Sequence, residues 1–372
     1  MIYTLSIDWL SIYCLYDEVE CKGDWKPTNE DGTLFGAYPW KYRLMDYGTR
    51  QFAQLYKVTK PNEEGGHDEF AEIQLHPYAA NILKRNAVIV RFVNRSLYLP
   101  DFWTLAERFL ADNHFRFQSI TRIDICADFN DFATLSPTAL IDGFAAKLFR
   151  HVGRGVGALY FNHGVSTEKW TGKKRYGVNF TGMSFGTHAS DARVYLYNKS
   201  FELLTQGDKP WIRDIWTAAG LDVLNVWRLE ISLKAKACKF KDKSTGEQVT
   251  IDTDNAQDVS ELDKIYHTFV RRLFAFVHNH EDIKNISREP RIQLFDGRPA
   301  YDRGVIRNVT AGTRFDRMFI KALWQLGDLY RGASNVNSAD LAQSFAVNIA
   351  ESCDLAEWMS RKVNEWDKPI HK

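Results

Sequence analysis

Polar and apolar residues alternate along three stretches so regularly that each reads as a β-strand with one face made for burial. In Arg193-Val194-Tyr195-Leu196-Tyr197-Asn198-Lys199, Val194 and Leu196 share one face, and Arg193, Tyr195, Tyr197 and Lys199 share the other. In Thr121–Phe129, Asp124, Cys126 and Asp128 oppose Ile123, Ile125 and Ala127. In Val226–Lys234, Arg228, Glu230, Ser232 and Lys234 oppose Trp227, Leu229, Ile231 and Leu233. Further strands are predicted over Ile2–Tyr16, Tyr42–Tyr47, Gln51–Thr59, Phe70–His76, Val88–Val93, Ala158–Asn162 and Tyr176–Phe185, with a Pro61–Gly66 turn. Helices are predicted over Pro77–Lys84, from Asp101 to Leu110, and from the Ser136-Pro137 start to Arg150, with another near Ser200–Leu204. After Lys243 the spacing turns helical: Leu262, Ile265, Tyr266, Phe269, Val270, Leu273 and Val277 recur on one stripe. Two more helices are predicted over Phe315–Tyr330 and from Asn337-Ser338 to the Trp358 region. The expected class is α+β: a mostly antiparallel sheet with covering helices over residues 1–245, then a mainly helical part over 255–372.

Composition narrows the class without choosing a function. A chain of 372 residues with 45% hydrophobic and 26% charged residues is expected to be globular. The five cysteines are scattered and form no CxxC, which favours reduced thiols and a cytoplasmic protein over a disulfide framework or zinc site. No signal peptide and no apolar run long enough for a membrane span are visible. A net charge of +1 means that any nucleic-acid partner needs a local basic surface.

Two such surfaces stand out. Between Lys147 and Arg175 there are seven Lys/Arg, among them Lys169, Lys173, Lys174 and Arg175, against the single acid Glu168. Tyr160, Phe161, Trp170 and Tyr176 are interleaved with them, as suits a surface that tracks a single-stranded backbone and stacks its bases. The second runs from Lys234 and Lys236 to Lys243. Either could equally be a solvated loop.

The chemistry expected of the strands follows from their polar faces. A phenol is a poor nucleophile near neutral pH because its pKa is about 10; the cations Arg193 and Lys199 beside Tyr195 and Tyr197 are expected to favour the phenolate and hold a phosphate. Mid-strand carboxylates are costly unless paired or holding a cation. Asp124, Asp128 and Glu230 together would make a hard oxygen site for Mg²⁺ or Mn²⁺; alternatively they pair with Arg122 and Arg228. The two imidazoles of His278-Asn279-His280 read as a helix terminus and not as ligands.

The ordered set Ile7-Asp8-Trp9-Leu10, Arg122-Ile123-Asp124-Ile125-Cys126-Ala127-Asp128, Phe185-Gly186-Thr187 with Arg193–Lys199, and Arg228-Leu229-Glu230-Ile231 resembles the replication initiation factor family. These are trans-acting rolling-circle initiators of small plasmids, related phage initiators, and relaxases of some integrative elements. The resemblance covers about residues 1–240. It implies a metal-dependent nickase and strand transferase that acts on single-stranded or cruciform origin DNA through a 5′-phosphotyrosine. Carried onto this chain, it makes Tyr197 the nucleophile with Lys199 beside it, although Tyr195 leaves the choice of phenol open. It makes Asp124, Asp128 and Glu230 the metal ligands. Arg228, Lys169, Lys173, Lys174, Arg175, Lys234 and Lys236 are the expected DNA contacts. A host helicase and polymerase are the implied partners, and a homodimer is compatible with the resemblance. A catalytically silent DNA-binding regulator on the same scaffold and a hydrolytic metal nuclease are the alternatives.

Overall fold

A computed structural model describes residues 1–27, 38–78, 83–153, 157–163, 166–171, 179–280, 283, 285–296, 301 and 303–304. In chain order the strands are β1 (Tyr3–Tyr16), β2 (Lys41–Leu44), β3 (Phe52–Pro61), β4 (His67–Pro77), β5 (Ala87–Phe92), β6 (Phe115–Phe129), β7 (Phe149–His151) and β8 (Gly157–His163). They continue as β9 (Ser166–Lys169), β10 (Phe180–Phe185), β11 (Ala192–Asn198), β12 (Trp227–Lys234), β13 (Lys239–Asp242), β14 (Gln248–Thr250), β15 (Phe276–His278) and β16 (Arg303–Gly304). The helices are α1 (Asn94–Leu97), α2 (Phe102–Asp112), α3 (Pro137–Ala145), α4 (Lys199–Gln206), α5 (Pro210–Ala218), α6 (Thr253–Gln257) and α7 (Val259–Leu273).

Eleven strands form one sheet in the order β2-β3-β4-β5-β1-β6-β12-β11-β10-β8-β9. Every neighbouring pair in it is antiparallel. The fold class is therefore α+β, as the alternation predicts. The two longest strands, β1 and β6, pair along almost their whole length and form the spine. Ile123, Ile125, Leu229, Ile231, Val194 and Leu196 are all fully buried on one face, in a core to which α2, α3 and α7 add Phe109, Leu140, Ile265 and Phe269. On the other face α4 and α5 make a smaller cluster around Leu203, Ile212 and Trp216, beside Tyr98.

Three local departures from the sequence expectations have physical causes. First, the helix expected to reach Arg150 stops at Ala145. The Leu148 amide bonds back to Gly143 O and the Lys147 amide to Phe144 O, a helix-ending loop that needs one left-handed residue. Lys147 takes that conformation, at φ +62°. Second, α5 follows directly on the Gly207–Pro210 break that the sequence shows: the helix starts on Pro210, a favoured first position. Third, β1 bulges between Ile7 and Trp9. Strict alternation would put Ile7 and Leu10 on opposite faces; the extra residue, Asp8, lets both point into the core.

By its contacts the chain divides into Met1–Val305 and Ile306–Lys372. This differs from the expected division into 1–245 and 255–372, because α7 belongs to the sheet core: the Tyr266 hydroxyl donates to Leu229 O at 3.0 Å. The helices expected over Phe315–Tyr330 and 338–358, and most of the one over Pro77–Lys84, lie outside the described residues. Among the described residues no helix is long and apolar enough to cross a membrane.

Candidate active site

The polar face of the central strands is arranged in cross-strand rows. Tyr197 lies opposite Arg228, which lies opposite Asp128; Tyr195 lies opposite Glu230, and Glu230 opposite Cys126; Arg193 lies opposite Ser232, and Ser232 opposite Asp124. On the far side of β6, Asp124 lies opposite Trp9. The alternation that the sequence shows in each strand becomes a two-dimensional patch only through this register.

Arg228 is its buried anchor. Its Nε donates to Asp128 Oδ1 at 2.6 Å and its Nη2 to Asp128 Oδ2 at 2.7 Å. Nη1 reaches Asp8 Oδ1 at 2.5 Å, and Nη2 reaches the Tyr98 hydroxyl at 3.2 Å. Asp8 also accepts from Tyr98 at 2.9 Å and from Asn94 Nδ2 at 3.0 Å. Asp128 also accepts from Trp216 Nε1 at 2.7 Å. Burial alone would raise the Asp8 carboxyl; the charges of Arg228 and Lys199 and the Tyr98 and Asn94 hydrogen bonds outweigh it and hold Asp8 well below the carboxylate range.

This geometry corrects two expectations. Arg228 cannot touch DNA, because its side chain is 0% exposed and its donors are spent on protein acceptors. Asp128 is not placed as a metal ligand, because both of its oxygens accept from Arg228 or Trp216 in a buried position. Asp8, Asn94, Tyr98 and Trp216 were not foreseen. The signal for Asp8 was present: Ile7, Leu10 and Ile12 can share a face only if the strand bulges at Asp8-Trp9.

Next to this anchor the Tyr197 hydroxyl donates to Glu230 Oε2 at 3.2 Å. The Glu230 carboxyl is pushed up to about 7, first by burial and then by the charges of Asp124 and Asp8, against the pull of Arg228 and Lys199. Burial, followed by Glu230, also drives the Tyr197 phenol well above its ordinary value; the opposing Arg228 charge is too weak to prevent it. The expected easing of the phenolate by neighbouring cations is thus not what this arrangement provides. Lys199 is buried, pairs with Glu202, and lies 5.4 Å from the centre of the Tyr197 ring. Arg193 lies over Tyr195 at 5.5 Å and meets His188 Nδ1 at 3.3 Å. The buried Nε of Arg193 has no hydrogen-bond partner among the described residues.

The two phenols are not equivalent. Tyr195 stacks on Tyr197 with centroids 4.7 Å apart at 30°, and meets the edge of Tyr160 at 5.2 Å. Tyr197 has a carboxylate acceptor; Tyr195 meets the rings of Tyr197 and Tyr160 and the Arg193 guanidinium, and burial raises its phenol too. Gly182 faces Tyr197 across β10–β11 and leaves room for the pair.

Asp124 is gripped by Arg122, whose Nε donates to Oδ1 at 2.9 Å and whose Nη2 also bonds Oδ2. Burial nevertheless leaves the Asp124 carboxyl raised, with Arg122 and Ser232 acting against it. The guanidiniums of Arg122 and Arg91 lie 4.4 and 4.8 Å from the centre of the Trp9 ring. Among the described residues no three His, Cys, Asp or Glu side chains converge as a metal site. Of the expected trio, Asp124 and Glu230 are close enough for the charge of one to raise the other.

Of the expected DNA contacts, Lys169 is exposed at the end of β9, and Lys173, Lys174 and Arg175 lie outside the described residues. Lys234 donates to His188 O at 2.5 Å. Lys236 pairs with Asp191 at 3.3 Å, an exposed pair of little energetic weight.

No family model and no curated protein matches the chain. Among solved structures it is similar to a rolling circle replication initiator protein from Geobacillus stearothermophilus, with 16% identity, 78% of this chain and 93% of that one covered, and a TM-score of 0.42. A likeness at that level is too loose to assign a site or an activity.

Proposed function

We propose that this chain cleaves and rejoins single-stranded DNA through Tyr197, in the manner of a rolling-circle replication initiator or relaxase. The observation that carries the reading is the hydrogen bond from Tyr197 to a Glu230 carboxyl pushed up to about 7. A carboxylate titrating near neutrality is suited to take the phenol proton during attack.

In this reading the Tyr197 oxygen forms a bond to the scissile phosphorus as its proton passes to Glu230. The bond from phosphorus to the 3′ oxygen breaks, leaving a 5′-phosphotyrosine, and the departing 3′ oxygen takes a proton from Glu230 or solvent. Attack by a 3′ hydroxyl on the phosphotyrosine reverses each step and rejoins the strand. Arg193, whose guanidinium lies over the Tyr195 ring, is a cation beside the phenols that would meet a phosphate oxygen. Tyr195 braces the Tyr197 ring by stacking. Origin DNA is then the partner, a polymerase would extend the freed 3′ hydroxyl, and a helicase would open the duplex.

We place a divalent cation at Asp124 and Glu230 rather than at all three carboxylates: both Asp124 oxygens accept from Arg122, but that guanidinium is 39% exposed and can swing aside, as the buried Arg228 on Asp128 cannot. Asp124 and Glu230 are hard oxygen donors whose crowding favours either a proton or a cation. Mg²⁺ or Mn²⁺ is commonly held by one or two carboxylates together with substrate phosphate. Once bound it would neutralise charge developing on the phosphate.

The test is to incubate the chain with Mn²⁺ and a random-sequence single-stranded library, denature and digest it, and search for nucleotide-linked peptides by mass spectrometry. An adduct on Tyr197, absent from Tyr197→Phe, is the expected result. An adduct on Tyr195 would move the nucleophile by two residues. Cleavage without an adduct would favour a hydrolytic nuclease, and neither would leave a DNA-binding regulator.

A further inference from the structure

A cavity of about 550 Å³ opens where the end of α3, the β7–β15 pair and the β8–β9 edge of the large sheet meet. The residues that line it include the cationic Lys147, Arg150 and Lys169, the aromatic Phe149 and Trp170, and Asn279. None of the three cations has a carboxylate partner among the described residues. The volume falls among those of sites that enclose a small ligand, about 300–1,000 Å³. Another wall residue, Phe144, packs against Phe185. Phe185 is opposite Val194, while the tyrosines take the other face of the sheet. The cavity therefore opens on the face away from Tyr197, while Lys169, opposite Tyr160, stands on the β9 edge between the two faces.

Its walls are held rigidly. Phe149 fits beneath α3 because residue 143 is glycine; a Cβ there would come within 2.3 Å of the ring. Asn279 donates its side-chain amide to Lys147 O and its backbone amide to Leu148 O, both at 2.8 Å. The backbone of Arg150 pairs with that of Val277 across β7–β15. Trp170 is tied to Leu159 O at 2.8 Å through its backbone amide and packs on the edge of Phe180.

Lys147 supplies the most telling detail. It occupies the left-handed position of a helix-ending loop, at φ +62°, where glycine is the unstrained choice. Backbone strain of this kind concentrates at sites where the side chain has work to do. Here the residue in that conformation is one of those that line the cavity.

We propose that this cavity takes one nucleotide of an unpaired DNA strand, its base against Trp170 or Phe149 and its phosphates on Lys147, Arg150 and Lys169. Three cations around aromatic walls complement a polyanion whose units are flat rings. The base of a duplex is stacked and paired and cannot enter such a wall without being extruded, so the ligand is single-stranded. The proposal rests on the reading of the chain as a single-strand nuclease. It adds a second contact point, reached around the β9 edge, that would hold the strand apart from the reacting phosphate.

The test is fluorescence anisotropy with a labelled fifteen-residue oligothymidylate, carried out on the full chain in a Tyr197→Phe background so that chemistry does not intrude. Lys147→Ser with Arg150→Ser and Lys169→Ser is expected to weaken binding and flatten the salt dependence by about 2 units of log–log slope, at about 0.7 per phosphate. Trp170→Leu is expected to weaken it by roughly 5–150-fold, as for loss of one stacked base. Lys147→Gly is the sharper variant: it relieves the backbone, so it should raise the melting temperature while weakening binding, which no loss of folding can imitate. Unchanged affinity in the triple variant overturns the proposal. A triple-variant effect with an inert Trp170→Leu and an inert Phe149→Leu overturns the base pocket and leaves a charged surface. Displacement by micromolar thymidine monophosphate would make the cavity a free-nucleotide site and overturn the strand assignment. Failure of the Tyr197 adduct in the wild-type chain is read separately and leaves these binding results standing.

Discussion

Arg228 lies directly opposite Asp128 across β12–β6 and holds it through two nitrogens, at 2.6 and 2.7 Å, with neither side chain reaching solvent beyond 3%. Breaking such a pair from one side strands a buried charge. Arg228→Met is expected to cost about 3–5 kcal/mol in urea unfolding, and Asp128→Leu added to it to recover part of that loss. A single variant as stable as the wild type would show that the pair does not anchor the site.

Glu230 gives a pH dependence with a definite sign. Transfer from Tyr197 needs the carboxylate form, so adduct formation should rise with pH through the Glu230 titration and then level off; that titration lies at about 7 in the metal-free chain and moves lower once Mn²⁺ is bound beside it. The effect on stability runs the other way. The folded pKa is raised above the ordinary 4.5 to about 7, so the folded chain binds the extra proton and loses stability as pH rises from about 4.5 to 7. Glu230→Gln should abolish the rising limb, slow the reaction by about 10²–10⁴-fold, and be more stable than the wild type at pH 8 by up to about 3 kcal/mol. The comparison is a pH–rate profile with thermal melts at pH 4 and 8; a Gln variant that keeps the limb removes Glu230 from the role of base.

The metal expectation separates two aspartates that look alike in the sequence. Asp124→Asn should weaken Mn²⁺ binding, followed by electron paramagnetic resonance, by more than the roughly 10–100-fold typical of losing an outer-shell partner. Asp128→Asn should affect unfolding first, because its carboxylate neutralises Arg228. Equal loss of Mn²⁺ binding in both, with unfolding unchanged, would restore the trio.

The difference between these aspartates shows what was legible in the chain. Period-two alternation marks which side chains share a face within a strand, so Asp124 could be grouped with Asp128, and Tyr195 with Tyr197, in advance. It carries no information on which neighbour each will meet. That depends on register, on the Asp8 bulge, and on α4 and α5 bringing Trp216 over Asp128. Charge type misled for the same reason: Arg228 and Lys199 read as phosphate-binding cations, yet burial turned both toward internal carboxylates. The cavity beside Trp170 was legible only as a run of cations and aromatics; the left-handed Lys147 that shapes its wall has no signature in the pattern.

Gly182 tests whether the position of the tyrosines depends on the strand beside them. A Cβ there would come within 2.7 Å of Leu196 O and 3.3 Å of the Tyr197 Cβ. The first of these is a ladder carbonyl between β10 and β11 that cannot rotate away, so the strands must separate. Gly182→Ala is expected to cost about 1–3 kcal/mol, the usual range for overpacking, and to slow adduct formation by displacing Tyr197 from Glu230. Gly65→Ala is the control, because Gly65 has φ +77° but nothing within 4 Å; it should lower stability through the backbone alone and leave the reaction rate untouched. Urea unfolding and single-turnover adduct formation on both variants decide the matter. If Gly182→Ala reacts at the wild-type rate, the packing of β10 against β11 does not set the Tyr197–Glu230 geometry.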